Sequence, residues 1–269
     1  MWSLLSACVL SWGLGRPGWS PPGAVSGGPS YLGVIERNEE EEPPLVRIAF
    51  KRSAINDWVP AIDARDRDSI REAMAALPRR TKWQVCRDGR SLGTVVSGPR
   101  SMQVMSDKGT RSLPSPPSFV ASARYDDKFE TFAGRTTRPY VVSTLPRSCH
   151  LPVPVRPAAS ADTAQFAKLV FDEGGGAKLR QTRGWMAGRW TAVEVEFNDK
   201  RNTLLATVAF AFGDEIVLRV PNARVVDWIS VDGDDVPDVL LWTPGYNQDG
   251  YVIVYGAFSK QAAFSWSYH

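Results

Sequence analysis

Histidine is nearly missing from this 269-residue chain, which carries only His150 and His269. A Ser-His-Asp or Cys-His catalytic unit would have to use one of them, and His150 sits beside Cys149, a candidate for a disulfide. Zinc finds no footing either, because three cysteines and two histidines supply no Cys-x-x-Cys, His-x-x-x-His or His-Glu-x-x-His spacing. Basic charge is never bunched. The 32 basic and 29 acidic side chains are interspersed and leave a net charge of +3, so no nucleic-acid footprint is present. The one dense charge run, residues 39–42, precedes Pro43-Pro44 and reads as a solvated arm. No apolar run approaches the ~20 residues of a membrane-spanning helix. A carboxylate pair for glycoside hydrolysis stays open, since such pairs meet in space rather than in sequence.

Apolar and aromatic residues are plentiful. A hydrophobic content of 43 % with ten tryptophans is ample for real cores, and the length suits one large or two ordinary domains. Residues 4–14 form a short apolar run followed by a Gly/Pro/Ser-rich stretch through Ser30, and Ala24-Val25-Ser26 has the small-residue spacing that a signal peptidase cleaves. Residues 1–30 are therefore expected to be an export signal and flexible segment, which makes the protein periplasmic, cell-surface or extracellular. No Lys or Arg precedes the apolar run, and Arg16 interrupts the stretch after it, as in a chain whose true start lies upstream. Leu5-Ser6-Ala7-Cys8 resembles a lipobox with only four residues ahead of it, so lipoprotein anchoring is expected only from such an upstream start.

Export leaves Cys86 and Cys149, an even count in an oxidising compartment. A disulfide between them closes a loop worth ~4 kcal/mol on the chain-entropy account. The alternative is two buried free thiols.

The fold class expected from the patterning is mainly β with a few short helices. Two domains are expected, at 31–155 and 156–269, separated by the spacing of Pro146, Pro152, Pro154 and Pro157. In the first, residues 45–51 alternate as a half-buried strand, and Asp66 or Asp68 caps a short helix carrying Ile70, Ala73, Met74 and Leu77. Strands at 83–86 and 92–96 flank the Asp88-Gly89 turn, and 107–119 reads as loop. Residues 140–143 close this domain as a further strand.

In the second domain Asp162 or Thr163 caps a helix with Phe166, Leu169 and Val170 on one face, ending at Gly174-Gly175-Gly176. Strands then come at 191–197, 204–210, 215–220, 225–230, 239–242 and 251–255. Turns are expected at Asn198-Asp199, Gly213-Asp214, Pro221-Asn222 and Asp249-Gly250, giving an antiparallel meander or sandwich with an Asp-rich loop.

That loop, Ser230-Val231-Asp232-Gly233-Asp234-Asp235-Val236-Pro237-Asp238, places oxygen-bearing side chains at alternate positions between two apolar runs. Calcium takes six to eight oxygen ligands, and Ser230, Asp232, Asp234 and Asp238 with the Val236 carbonyl supply a matching set. Four carboxylates within seven residues repel one another by ~1 kcal/mol per close pair, a repulsion that a divalent cation reverses. An EF-hand is excluded, because its required Gly and Glu positions hold Asp235 and Leu241 and both flanks are strand-like. Asp232-Gly233-Asp234-Asp235-Val236-Pro237-Asp238-Val239-Leu240 followed by a strand resembles the calcium loop of FG-GAP and VCBS repeats. Those repeats occur in β-propellers and other β modules of secreted or cell-surface proteins. Ser230 stands where that pattern begins with Asp, and Asp235 where it has Gly. The resemblance implies a structural calcium site in an exported β module of unassigned activity; the alternative is a solvated acidic hairpin.

The expected role is non-enzymatic: an exported binding or envelope-structural protein whose partner is a protein or glycan. Trp185, Trp190, Trp228, Trp242 and Trp266 leave glycan stacking open against the simpler reading that they fill the core. A carboxylate-based hydrolase is the further alternative.

Overall fold

The computed structural model describes residues 30–36, 45–62, 68, 72, 75, 81–103, 118–124, 140–145, 149–160, 163–164, 167–168, 178–199, 201–245 and 248–267. As expected, the fold is mostly β, with antiparallel sheets throughout.

The first sheet contains β1 (Tyr31–Glu36), β2 (Leu45–Arg52), β3 (Trp58–Pro60), β4 (Thr81–Arg87), β5 (Arg90–Gln103), β6 (Ser118–Arg124) and β7 (Tyr140–Ser143). Their order is β1-β7-β4-β5-β6-β2-β3, and β1 also pairs with β2 from Tyr31↔Lys51 to Glu36↔Leu45. The sheet therefore meets itself. Six strands close into a barrel, and β3 continues off the end of β2.

Residues opposite each other on an antiparallel ladder share a face, so the register sorts the side chains. Ile35↔Val46, Gly33↔Val142, Val85↔Val142 and Trp83↔Val95 line the inside, where Trp83 is fully buried. Leu32, Val34, Val141 and Cys86 fall on the outside and are buried against the rest of the protein. Gly33 sits at the register shift in β1, and a Cβ there would strike the Arg47 carbonyl oxygen of the neighbouring strand.

A second sheet runs β12-β11-β10-β9-β8 with β8 (Val155–Pro157), β9 (Lys178–Ala187), β10 (Trp190–Asn198), β11 (Leu204–Phe212) and β12 (Glu215–Pro221). A third is a four-strand meander of β13 (Arg224–Ile229), β14 (Asp238–Trp242), β15 (Gln248–Tyr255) and β16 (Lys260–Ser267).

The meander is the middle layer. Leu240, Tyr251, Ile253 and Tyr255 pack with Leu32, Val34 and Val141 of the barrel, while Val239, Leu241, Val252 and Val254 pack with Val208 and Phe210 of the five-stranded sheet. Antiparallel sheets commonly keep one wet face, shown by alternation; β14 and β15 are apolar at consecutive positions because both their faces are dry. One core thus unites residues from both sides of position 155, joining Leu32, Phe50 and Cys149 to Leu240, Ile253 and Phe264.

The strands at 45–51, 83–86, 92–96, 140–143, 191–197, 204–210, 215–220, 225–230, 239–242 and 251–255 are present with small shifts in their ends. Three readings differ. Thr163 does not cap its helix, because Ser160 is already helical and the Thr163 N–H bonds the Ala159 carbonyl at 3.0 Å. Asp249-Gly250 lies inside β15 rather than in a turn, because a Cβ at Gly250 would come within 2.7 Å of the Phe264 carbonyl and Thr243 Oγ1. The glycine serves a close strand approach, a need that looks the same in sequence as a turn. The 107–119 loop ends sooner, with Ser118 and Phe119 already in β6.

Asp68, Glu72 and Ala75 are helical, as are Ser160, Thr163, Ala164, Ala167 and Lys168. Asp66, Ile70, Ala73, Met74 and Leu77 lie outside the described residues, as do Asp162, Phe166, Leu169 and Val170. So do residues 1–29, the 39–42 run and the 174–176 glycines. Among the described residues no helix is long and apolar enough to cross a membrane.

Candidate metal centre

The β13–β14 ladder ends at Ile229↔Asp238, and the chain between them turns on carboxylates rather than on backbone ladder bonds. Asp232 Oδ1 accepts the Asp234 N–H at 3.1 Å, and Asp234 Oδ1 accepts the Val236 N–H at 2.8 Å. Each is a side chain bonding the backbone two residues on, the local preference that places Asp in turns. Gly233 takes the left-handed conformation between them, with φ of 81°. Asp238 opens β14 fully buried, and its Oδ2 accepts the Val231 N–H at 2.7 Å across the base of the loop.

The loop also grips the β15–β16 turn. Gly256 N–H donates to Asp232 Oδ2 at 2.8 Å, and the Ala257 N–H reaches Asp234. Gly256, Ala257 and Phe258 have φ of 61°, 51° and 61°, three successive left-handed residues. Only glycine adopts that region without cost, so Ala257 and Phe258 are held there. On one side the Asp232 and Asp234 carboxylates take the N–H groups that such a turn aims in one direction. On the other, Phe258 is buried, with ring centroids 4.7 Å from Phe210 and 4.8 Å from Trp190.

Carboxylate oxygens of Asp232, Asp234 and Asp238 lie within 4.8 Å of one another. Burial, then the Asp232 charge, pushes the Asp238 carboxyl well above its ordinary range against the pull of the Val231 N–H. Asp234 is raised by burial as well. The Asp232 N–H also draws on this carboxyl, while its Oδ1 is buried without a hydrogen-bond partner. Of the residues expected to hold a metal, the structure therefore brings three carboxylates together. Ser230 is half-buried at the end of β13, Val236 lies within the loop, and Asp235 is exposed.

No protein-family model, curated protein or solved structure matches this chain.

Cys86 and Cys149 form a disulfide with a Cα–Cα distance of 5.0 Å, joining β4 to the segment that leads into β8. Of the five tryptophans, Trp228 is buried, Trp185, Trp190 and Trp242 are half-buried, and the Trp266 side chain lies outside the described residues. Trp185 and Trp228 meet at 56°, so these two make no flat platform.

Several buried charges carry no motif. Asp227 lies in β13 with its carboxyl pushed up to about 7, chiefly by burial. Glu194 is buried in β10, accepts the Val225 N–H at 2.7 Å, and has Arg183 at 3.7 Å. Glu36 binds Arg47 at 2.7 Å and accepts the Tyr251 O–H at 2.8 Å, tying the barrel to the middle sheet. The signal for Asp227 and Glu194 is a lone acid within an apolar strand, Val226-Asp227-Trp228 and Val193-Glu194-Val195. Glu36 and Tyr251 are 215 residues apart, and no local pattern links them.

Proposed function

We propose that this protein is a non-enzymatic exported binding or envelope-structural protein whose aspartate loop binds calcium as a structural ion. The observation that carries the metal reading is Asp238 Oδ1, buried without a partner beside Asp232 and Asp234. A hard cation supplies what that oxygen lacks, and an all-oxygen donor set favours calcium over softer metals. The Ser230 hydroxyl and Val236 carbonyl complete the set in the pattern that FG-GAP and VCBS loops use. Because the loop accepts N–H groups from Gly256 and Ala257, the ion would lock the β13–β14 loop to the β15–β16 turn at one end of the middle layer. Such a role is architectural, since a fully ligated ion leaves no open position for substrate.

The test is calorimetric titration of the full chain with calcium, paired with thermal melting in chelator. Saturable binding with a raised melting temperature, both lost on Asp234→Ala, is the expected outcome. Absence of heat and of any melting shift would show instead an acidic turn satisfied by backbone N–H groups alone.

A further inference from the structure

A cleft of about 480 Å³ opens where the three layers meet. One wall is the β4–β5 turn, Asp88 to Arg90; the other is the 150–157 segment entering β8; Trp185 of the five-stranded sheet and Trp228 of the middle sheet also line it. Both walls are fastened. The Cys86–Cys149 disulfide joins them one or two residues from the opening, and the Asp88 N–H is held by Asp227 Oδ1 at 2.9 Å. Gly89, with φ of 69°, leaves room for Leu151, which a Cβ there would approach to 2.8 Å. A site braced in this way binds without first having to order its walls.

The lining has the chemistry of an anion site with an apolar body. Arg90 and Arg156 are exposed, come from opposite walls, and make no ion pair among the described residues. Asp88 is the only carboxylate in the lining among the described residues, and Arg87 stands 3.8 Å from it. Leu151, Val153 and Val155 offer half-buried aliphatic surface, and the half-buried Trp185 offers a ring. Trp228, only 6 % exposed, adds the edge of a second ring to the lining.

We infer that this cleft binds an organic carboxylate with a flat aromatic body. The carboxylate takes the guanidinium groups of Arg90 and Arg156, whose planar donor forks match its two oxygens. The ring lies along Trp185 and the aliphatic wall. Nothing in this assignment depends on calcium.

The test is calorimetric titration of the full, oxidised protein with 2-naphthoate and with its neutral analogue 2-naphthamide. Saturable one-site binding of naphthoate is expected, at least tenfold tighter than naphthamide, and weakened at least tenfold in Arg90→Ala and in Arg156→Ala. Both arginines are exposed, so unchanged melting temperatures will show that the variants fold. Absence of saturable heat, equal affinity for naphthamide, or undiminished binding in the Arg90→Ala/Arg156→Ala double variant would each overturn the assignment.

Discussion

Replacing Asp227 with Asn removes an ionisable proton from the middle layer while keeping an oxygen where one is used. Asp227 Oδ1 accepts the Trp228 N–H at 2.7 Å and the Asp88 N–H at 2.9 Å, whereas Oδ2 is buried without a partner. Burial pushes the carboxyl up to about 7 from an ordinary 3.8, against the pull of those two N–H groups and of Arg87 and with the push of Asp88. A raised folded-state value means that between these two pH values the folded protein holds a proton the unfolded chain has lost. Stability therefore falls as pH rises through that window. At 1.36 kcal/mol per unit the full gap is worth ~4 kcal/mol, of which about 2.5 kcal/mol falls between pH 5 and pH 8. Asn has no such dependence. Urea unfolding followed by tryptophan fluorescence, in chelator at both pH values, should show wild type losing about 2.5 kcal/mol more than Asp227→Asn across that interval. Asp234, Asp238, Asp249 and Glu194 are also raised, but they titrate in both proteins and cancel in the difference. Equal pH slopes would refute the reasoning and show that the carboxylate is solvated.

Removing the crosslink with Cys86→Ser/Cys149→Ser frees a loop of 63-residue separation and should cost about 4 kcal/mol, read from the urea midpoint and reproduced by reductant on wild type. Gly250→Ala should lower stability by roughly 1–3 kcal/mol in the same assay, because its Cβ meets a backbone carbonyl that has no room to retreat. Ala257→Gly should raise the melting temperature by the equivalent of ~1 kcal/mol, since it relieves a left-handed alanine; no gain would mean that the turn is unstrained.

How far the fold is legible in the sequence depends on what each strand faces. The strands at 191–197 and 204–210 are plain because nearly every position is apolar or alternates cleanly. β9 is not, because its first four residues are exposed, and Lys178-Leu179-Arg180-Gln181 has no periodicity to read. β16 is lost among small residues, with Ala262 and Phe264 the buried ones among its described side chains on an edge strand. Barrel closure is a matter of β1 meeting β2 and β7, which no local pattern encodes. The doubly covered middle sheet does leave a trace in the unbroken apolar runs of β14 and β15, although those runs fit any buried strand. In the loop, alternate spacing is enough to gather Asp232, Asp234 and Asp238. The grip on Gly256 and Ala257 is out of reach, because it comes from a turn more than twenty residues away.

The middle sheet is synthesised after both of the layers that cover it. As the chain leaves the ribosome, the barrel acquires its outer wall of Leu32, Val34 and Val141, and the five-stranded sheet its inner face of Val208 and Phe210, before residues 224–267 exist to lie between them. Each early layer is thus born with one bare apolar side, and the final insertion must wet neither. A chain arrested before β14 would carry two sticky surfaces rather than one missing module.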